Sequence, residues 1–174
     1  MIRRYSSIIG LPLVDFNEGN TLALLRDIIV NPDSGKIEAF WVKPVGNIFA
    51  NLIVQTQDIL EWKKKIYTRD DSALATAEEV LRIAEILKKE TPIIDQRVKG
   101  ASGANYGTVS DLEFNDSTFD LKQIYTQKRL LGLIPYVHFT FTAKKIVQIT
   151  SENILVDDDP TEKQVVVTPT LSEG

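Results

Sequence analysis

The sequence predicts a mainly β protein, two small β-barrels in tandem joined by an α-helix. Three observations carry that prediction. A block of turn and strand residues recurs at a constant offset, short apolar segments alternate with Gly, Pro, Asn and Asp, and one helical periodicity lies between the two copies. The block runs from Asp27 to Val42 and again from Asp111 to Thr126. At an offset of 84, Asp27 meets Asp111 and Asn31 meets Asn115. Ile28, Val30, Ile37, Phe40 and Trp41 then meet Leu112, Phe114, Leu121, Ile124 and Tyr125.

The elements follow in order. Ile8 to Val14 reads as a strand and Asn17 to Asn20 as a turn. Leu22 to Val30 and Lys36 to Val42 form a hairpin across Asn31-Pro32-Asp33-Ser34-Gly35, which holds proline and glycine where a loop requires them. Asn47 to Gln55 is a further strand, and Asp58 to Trp62 closes the first unit, residues 1–70. Ala77, Val80, Leu81, Ala84 and Leu87 recur at helical spacing. Thr76 and Glu79 have capping-box spacing and Thr91-Pro92 supplies a stop, so the connecting helix is expected near 73–90, within a joining segment 71–92.

The second unit, 93–157, has strands at 95–99, Val109 to Phe114, Phe119 to Thr126, Tyr136 to Thr142 and Ile146 to Ile149. Asn153-Ile154-Leu155 matches Asp58-Ile59-Leu60 at an offset of 95, which makes this unit about 11 residues longer. Residues 158–174 read as an acidic, disordered tail with one short edge strand at the valines 165–167.

Composition narrows the chemistry. The 174 residues include no cysteine, which excludes a disulfide framework, a thiol nucleophile and Cys-ligated zinc. The net charge of −4 resides in residues 157–174, so the body is neutral, against the basic face of a dedicated nucleic-acid binder. The apolar segment Ile8 to Val14 is too short to span a bilayer, no other run is long enough, and no secretory leader is visible. A cytoplasmic protein is expected. Each unit alone would bury little of its surface, so the two are expected to pack together or on a partner.

Repeat two carries Gly103, Gly107, Val109 and Asp111 before its hairpin, with Ile146 to Ile154 after it. Repeat one carries Gly19, Asp27, Asn31 and Gly35 in matching places, but Ala23 stands opposite Gly107 and Leu25 opposite Val109. This pattern resembles the PRC-barrel family in a tandem, two-copy form. The resemblance implies two small, strongly bent PRC-like β-barrels used for docking. It implies no shared active site, and it includes members that mature ribosomes.

His138 is the only histidine and has no second metal ligand or triad partner in sequence, so it reads as structural. Gly100-Ala101-Ser102-Gly103 spells a GxxG, but it joins two strands where a nucleic-acid GxxG loop joins two helices, so it reads as a turn. Asp27, Asp33, Asp111 and Asp116 repeat with the hairpin and read as local backbone caps. Asp157 to Asp159 read as a flexible run without a defined cation site.

Two segments remain. Trp62, Lys63, Lys64, Lys65 and Tyr67 are candidates for RNA binding, with Lys128, Arg129, Lys144 and Lys145 as supports, against a solvated lysine face. Leu130, Leu131, Leu133, Ile134 and Tyr136 lie in an uncharged run ending at Val137. That run either enters the core or presents a protein-docking patch. The expected function is a non-catalytic docking or assembly adaptor with a protein partner and no cofactor. The alternative is a ribosome- or RNA-associated maturation factor, and either function is compatible with an oligomer.

Overall fold

A computed structural model describes residues 1–47 and 49–165. The protein is mainly β, about 52% strand, in two sheets. The first part of the chain holds β1 (Ile2–Arg4), the single turn α1 (Tyr5–Ile8), β2 (Pro12–Asp15), β3 (Thr21–Asn31), β4 (Lys36–Pro44) and β5 (Leu52–Gln55). It continues with β6 (Ile59–Trp62), β7 (Ile66–Thr68), β8 (Leu74–Ala75) and the helix α2 (Leu81–Leu87). The second part holds β9 (Arg97–Gly100), β10 (Asn105–Asn115), β11 (Leu121–Leu130), β12 (Ile134–Thr142), β13 (Ile146–Ile149), β14 (Ile154–Val156) and β15 (Glu162–Val165).

The first sheet runs β6-β7-β2-β3-β4-β5-β8 and the second β13-β14-β9-β10-β11-β12-β15, with β1 added to β10. Each path has two ends, so strand pairing closes neither sheet into a barrel among the described residues. The order is the same in both. The central hairpins share their register as well: Leu25↔Val42, Asp27↔Trp41, Ile28↔Phe40 and Val30↔Ile37 become Val109↔Thr126, Asp111↔Tyr125, Leu112↔Ile124 and Phe114↔Leu121. Both strands bulge just before the aspartate, which re-aims its carboxylate onto the next backbone N–H. Asp27 Oδ1 accepts from Ile28 N at 2.8 Å and Asp111 Oδ1 from Leu112 N at 2.9 Å.

Several elements differ from expectation. Ile8 to Val14 is not one strand: α1 ends at Ile8, and β2 begins only at Pro12, after Gly10 has turned the chain at a φ of 84°. The helix is shorter than 73–90, because Leu74 and Ala75 pair with Val54 and Ile53 as an edge strand and Thr76 to Val80 form a turn. The Glu79 carboxylate accepts from Thr76 N at 2.7 Å as a capping box would, but the helix starts one turn later. The second unit is also less elongated than the offset of 95 suggested. Ile154-Leu155-Val156 pairs in parallel with β9 as Ile66-Tyr67-Thr68 pairs with β2, so its counterpart is β7 and not Ile59-Leu60. Part of the acidic tail is ordered too: β15 pairs with β12, Asp158 accepts from Ser102 N at 2.6 Å, and Asp159 pairs with Lys145 at 2.7 Å. Residues 166–174, including two of the three valines, lie outside the described residues.

One hydrophobic core runs through both sheets. At the junction Phe40 lies 5.4 Å from Trp62 and 6.2 Å from Phe114, ring centre to centre, and both phenylalanines are fully buried. Ile37 N donates to Phe119 O at 2.9 Å and Leu121 N to Gly35 O at 3.0 Å, a reciprocal pair at the same offset of 84. Ile83 and Ile86 of α2 pack on Ile29, Ala39 and Ile53 of the first sheet. Burial of each such side chain contributes roughly 1.5–3 kcal/mol. The leading segment 2–8 lies on the second sheet instead, where β1 takes the last residues of the β10 edge. Gly107 shows how tight that sheet is: its φ is 86°, and a Cβ there would lie 2.0 Å from Gln127 O.

Candidate functional site

The apolar run forms the tip of the β11–β12 hairpin. Leu130 pairs with Ile134, and Leu131-Gly132-Leu133 turn the chain, closed by Leu133 N donating to Leu130 O at 3.0 Å. Apart from Val137, the run does not enter the core. Leu131 is 90% exposed and Leu133 80%, Leu130, Ile134 and Tyr136 are also exposed, and Val137 alone turns into the core. The ladder extends beyond the first sheet's equivalent, since Val42↔Leu52 corresponds to Thr126↔Phe139 and the offset grows by three residues. Five exposed apolar side chains at one tip form a surface that water solvates poorly. The β4–β5 loop, at the same place in the first sheet, exposes Val45 and Phe49. The sequence reading placed Phe49 in a strand from Asn47 to Gln55, but β5 begins only at Leu52, and Val45 beside Pro44 and Gly46 was passed over.

The basic cluster is divided. Lys63, Lys64 and Lys65 are exposed, and Lys63 Nζ pairs with Glu61 at 2.7 Å. Trp62 is committed elsewhere: its ring packs on Phe40, Phe114 and Phe119, with the Arg3 guanidinium 5.7 Å from its centre. Those contacts occupy the faces a base would need. Tyr67 is half-buried and meets Phe16 edge to face. Among the supports, Lys128 lies over the Phe139 ring at 5.5 Å, Arg129 and Lys144 are exposed, and Lys145 is tied to Asp159.

The repeated acids do more than cap turns. The Asp116 carboxylate accepts from Arg3 Nε at 2.8 Å and from the terminal ammonium at 2.5 Å. Burial pushes that carboxyl up, but the two cationic hydrogen bonds outweigh it and the net shift is downward. Asp111 accepts from Ser6 N at 3.1 Å and Ser6 Oγ at 2.6 Å, and pairs with Arg4 Nε at 3.3 Å. Asp27 accepts from Tyr5 Oη at 3.2 Å; burial first and the Asp27 charge second push that phenol up to about 12. Asp33 pairs with Lys89.

The remaining candidates bring no chemistry together. His138 is half-buried beside Gln127 and Gln164 on neighbouring strands, in a shallow groove with Arg4, Asp111, Tyr125 and Glu162. No carboxylate hydrogen-bonds its ring among the described residues. Gly100 to Gly103 is a turn between β9 and β10, and Gly100 is packed so closely that a Cβ would lie 1.7 Å from the Asp158 carboxylate. No cluster of three or more His, Asp or Glu side chains suited to a metal ion occurs among the described residues. No helix among them is long and apolar enough to cross a membrane.

No curated protein matches the chain. The PRC-barrel domain family model matches residues 1–79, a span that begins before β1 and ends just past β8. The fold of that domain is a non-enzymatic one of the protein-interaction type, and the family model matches one copy of it here.

Proposed function

We propose that this chain is a non-catalytic docking module of two PRC-like units, working in the cytoplasm, and that a protein partner is held by the β11–β12 tip. The exposed apolar side chains from Leu130 to Tyr136 are the single observation that carries this reading. Reading the second sheet as a further PRC-like unit is supported by its strand order and hairpin register, both of which repeat those of the matched first unit. The RNA alternative is supported by three exposed lysines, but it loses its stacking platform because Trp62 is packed at the junction. A neutral body adds no phosphate-tracking field.

Affinity capture from native lysate, with and without nuclease, tests the reading. A protein partner retained after nuclease and lost from the Leu133→Asp variant is the expected result. A partner lost on nuclease treatment, or one indifferent to Leu133→Asp, overturns it.

A further inference from the structure

The two sheets share a hairpin register, so each residue of one site has a counterpart in the other. In the second sheet Arg4 fills a composite site: its Nε lies 3.3 Å from Asp111 and 3.9 Å from Glu113, and its guanidinium carbon stands 4.2 Å from the centre of the Tyr125 ring. Asp111 and Tyr125 are register partners, and their counterparts Asp27 and Trp41 are register partners too. Nothing cationic occupies this first-sheet pair. Among the described residues no basic side chain pairs with Asp27, and none stands over Trp41.

The counterpart of Arg4 is found by backbone pairing. Gly10 N donates to Leu25 O at 2.8 Å, and Asp95 N to Val109 O at 2.9 Å, so the leading segments correspond at an offset of 85. Arg4 then matches Lys89, whose ammonium pairs with Asp33 instead, and Ser6 matches Thr91. Ser6 Oγ donates to Asp111, whereas Thr91 Oγ1 is buried with no partner. A cavity of about 230 Å³ opens here, lined by Asp27, Trp41, Ile86, Glu90, Thr91 and Ile93. Its lining includes the carboxylates of Asp27 and Glu90, the Trp41 indole and an apolar wall, and no basic residue. Arg26 shares a second cleft with Asp27 and Trp41, but its guanidinium donates to Asn51 Oδ1 at 3.3 Å and among the described residues neither pairs with Asp27 nor stands over the indole.

We infer that the Asp27–Trp41 site receives an arginine side chain from a protein partner, repeating between molecules the contact Arg4 makes within the chain. Arginine fits better than lysine, because its planar guanidinium stacks on indole and presents a fork of donors to a carboxylate. The inference presumes a protein partner but uses a different surface from the hairpin tip.

The test uses N-acetyl-arginine amide, with the neutral isostere N-acetyl-citrulline amide as control. The chain has two tryptophans, so its two indole N–H resonances, assigned with Trp41→Phe, give an internal comparison. The expected result is a saturable shift of the Trp41 resonance with the arginine probe, none with citrulline, and an unmoved Trp62. Asp27→Asn, which keeps an oxygen acceptor for Ile28 N, is expected to weaken the response about tenfold by removing the charge-assisted bond. An unmoved Trp41 in the wild-type protein, or equal shifts with both probes, overturns the inference. Because the probe never touches Leu133, failure here leaves the hairpin-tip reading standing, and failure of that reading leaves this site standing.

Discussion

Arg3 and Asp116 join the ends of two segments more than a hundred residues apart, and their charges make that tie depend on pH. The folded-state carboxyl of Asp116 titrates below its ordinary value. Its contribution is therefore fully present above the unfolded-state pKa of about 3.9, and it is lost as pH falls through the depressed folded value. Asp116→Asn is expected to cost about 1.5–3 kcal/mol near neutral pH, the range for a hydrogen bond to a charged group. The deficit against wild type should shrink as pH drops below about 4, and thermal melts of both proteins across pH check it. A deficit that grows in acid would contradict the assignment. This tie was not legible in the sequence, which showed Asp116 only as a hairpin residue, because its partners are distant in the chain. Trp62 teaches the same lesson: beside three lysines it reads as a stacking platform, and only Phe114 and Phe119 reveal it as junction core.

At the scale of elements, strand positions and hairpin turns were legible because their signals are local. Asn31 and Asn115 each accept from the backbone N–H two residues on, at 3.0 and 2.8 Å, as turn chemistry predicts. The helix was read too long because its apolar period begins in a segment that prefers to pair with β5, a tertiary contact that overrides propensity. What remains of α2 is held by packing, since seven residues are too few to persist alone. Ile83 is buried in one cluster with Ile29 and Ile53. Ile83→Ala is expected to cost about 2–5 kcal/mol and to raise amide exchange from Leu81 to Leu87 more than in β10. Urea unfolding with site-resolved exchange checks both, and an unchanged midpoint would show that α2 is not docked. The β11–β12 tip was legible as an uncharged run, but not as exposed, since the same residues would have suited a core strand.

Across the whole molecule, the two sheets exchange more than a linker would require. The N-terminal strand pairs with the second sheet, α2 packs on the first, and the aromatic junction belongs to both. The units are therefore expected to unfold together. Intrinsic tryptophan fluorescence and far-ultraviolet circular dichroism should give coincident urea transitions, because Trp62 lies at the junction and Trp41 in the first sheet. Separated transitions would mean two independent domains. This shared core leaves the hairpin tip exposed, and that tip is the surface we propose to engage a partner.

The most direct test of that engagement is a salt titration of the purified native complex, run beside Leu133→Asp and the Lys63→Ala, Lys64→Ala, Lys65→Ala triple variant. Apolar contacts worth roughly 1.5–3 kcal/mol per buried leucine are little affected by salt, whereas lysine–phosphate contacts weaken steeply. The account predicts that the complex survives severalfold added salt, persists in the triple-lysine variant and is abolished by Leu133→Asp, with melting temperatures unchanged. Steep dissociation by salt, together with loss of binding in the triple variant and retention in Leu133→Asp, would contradict it.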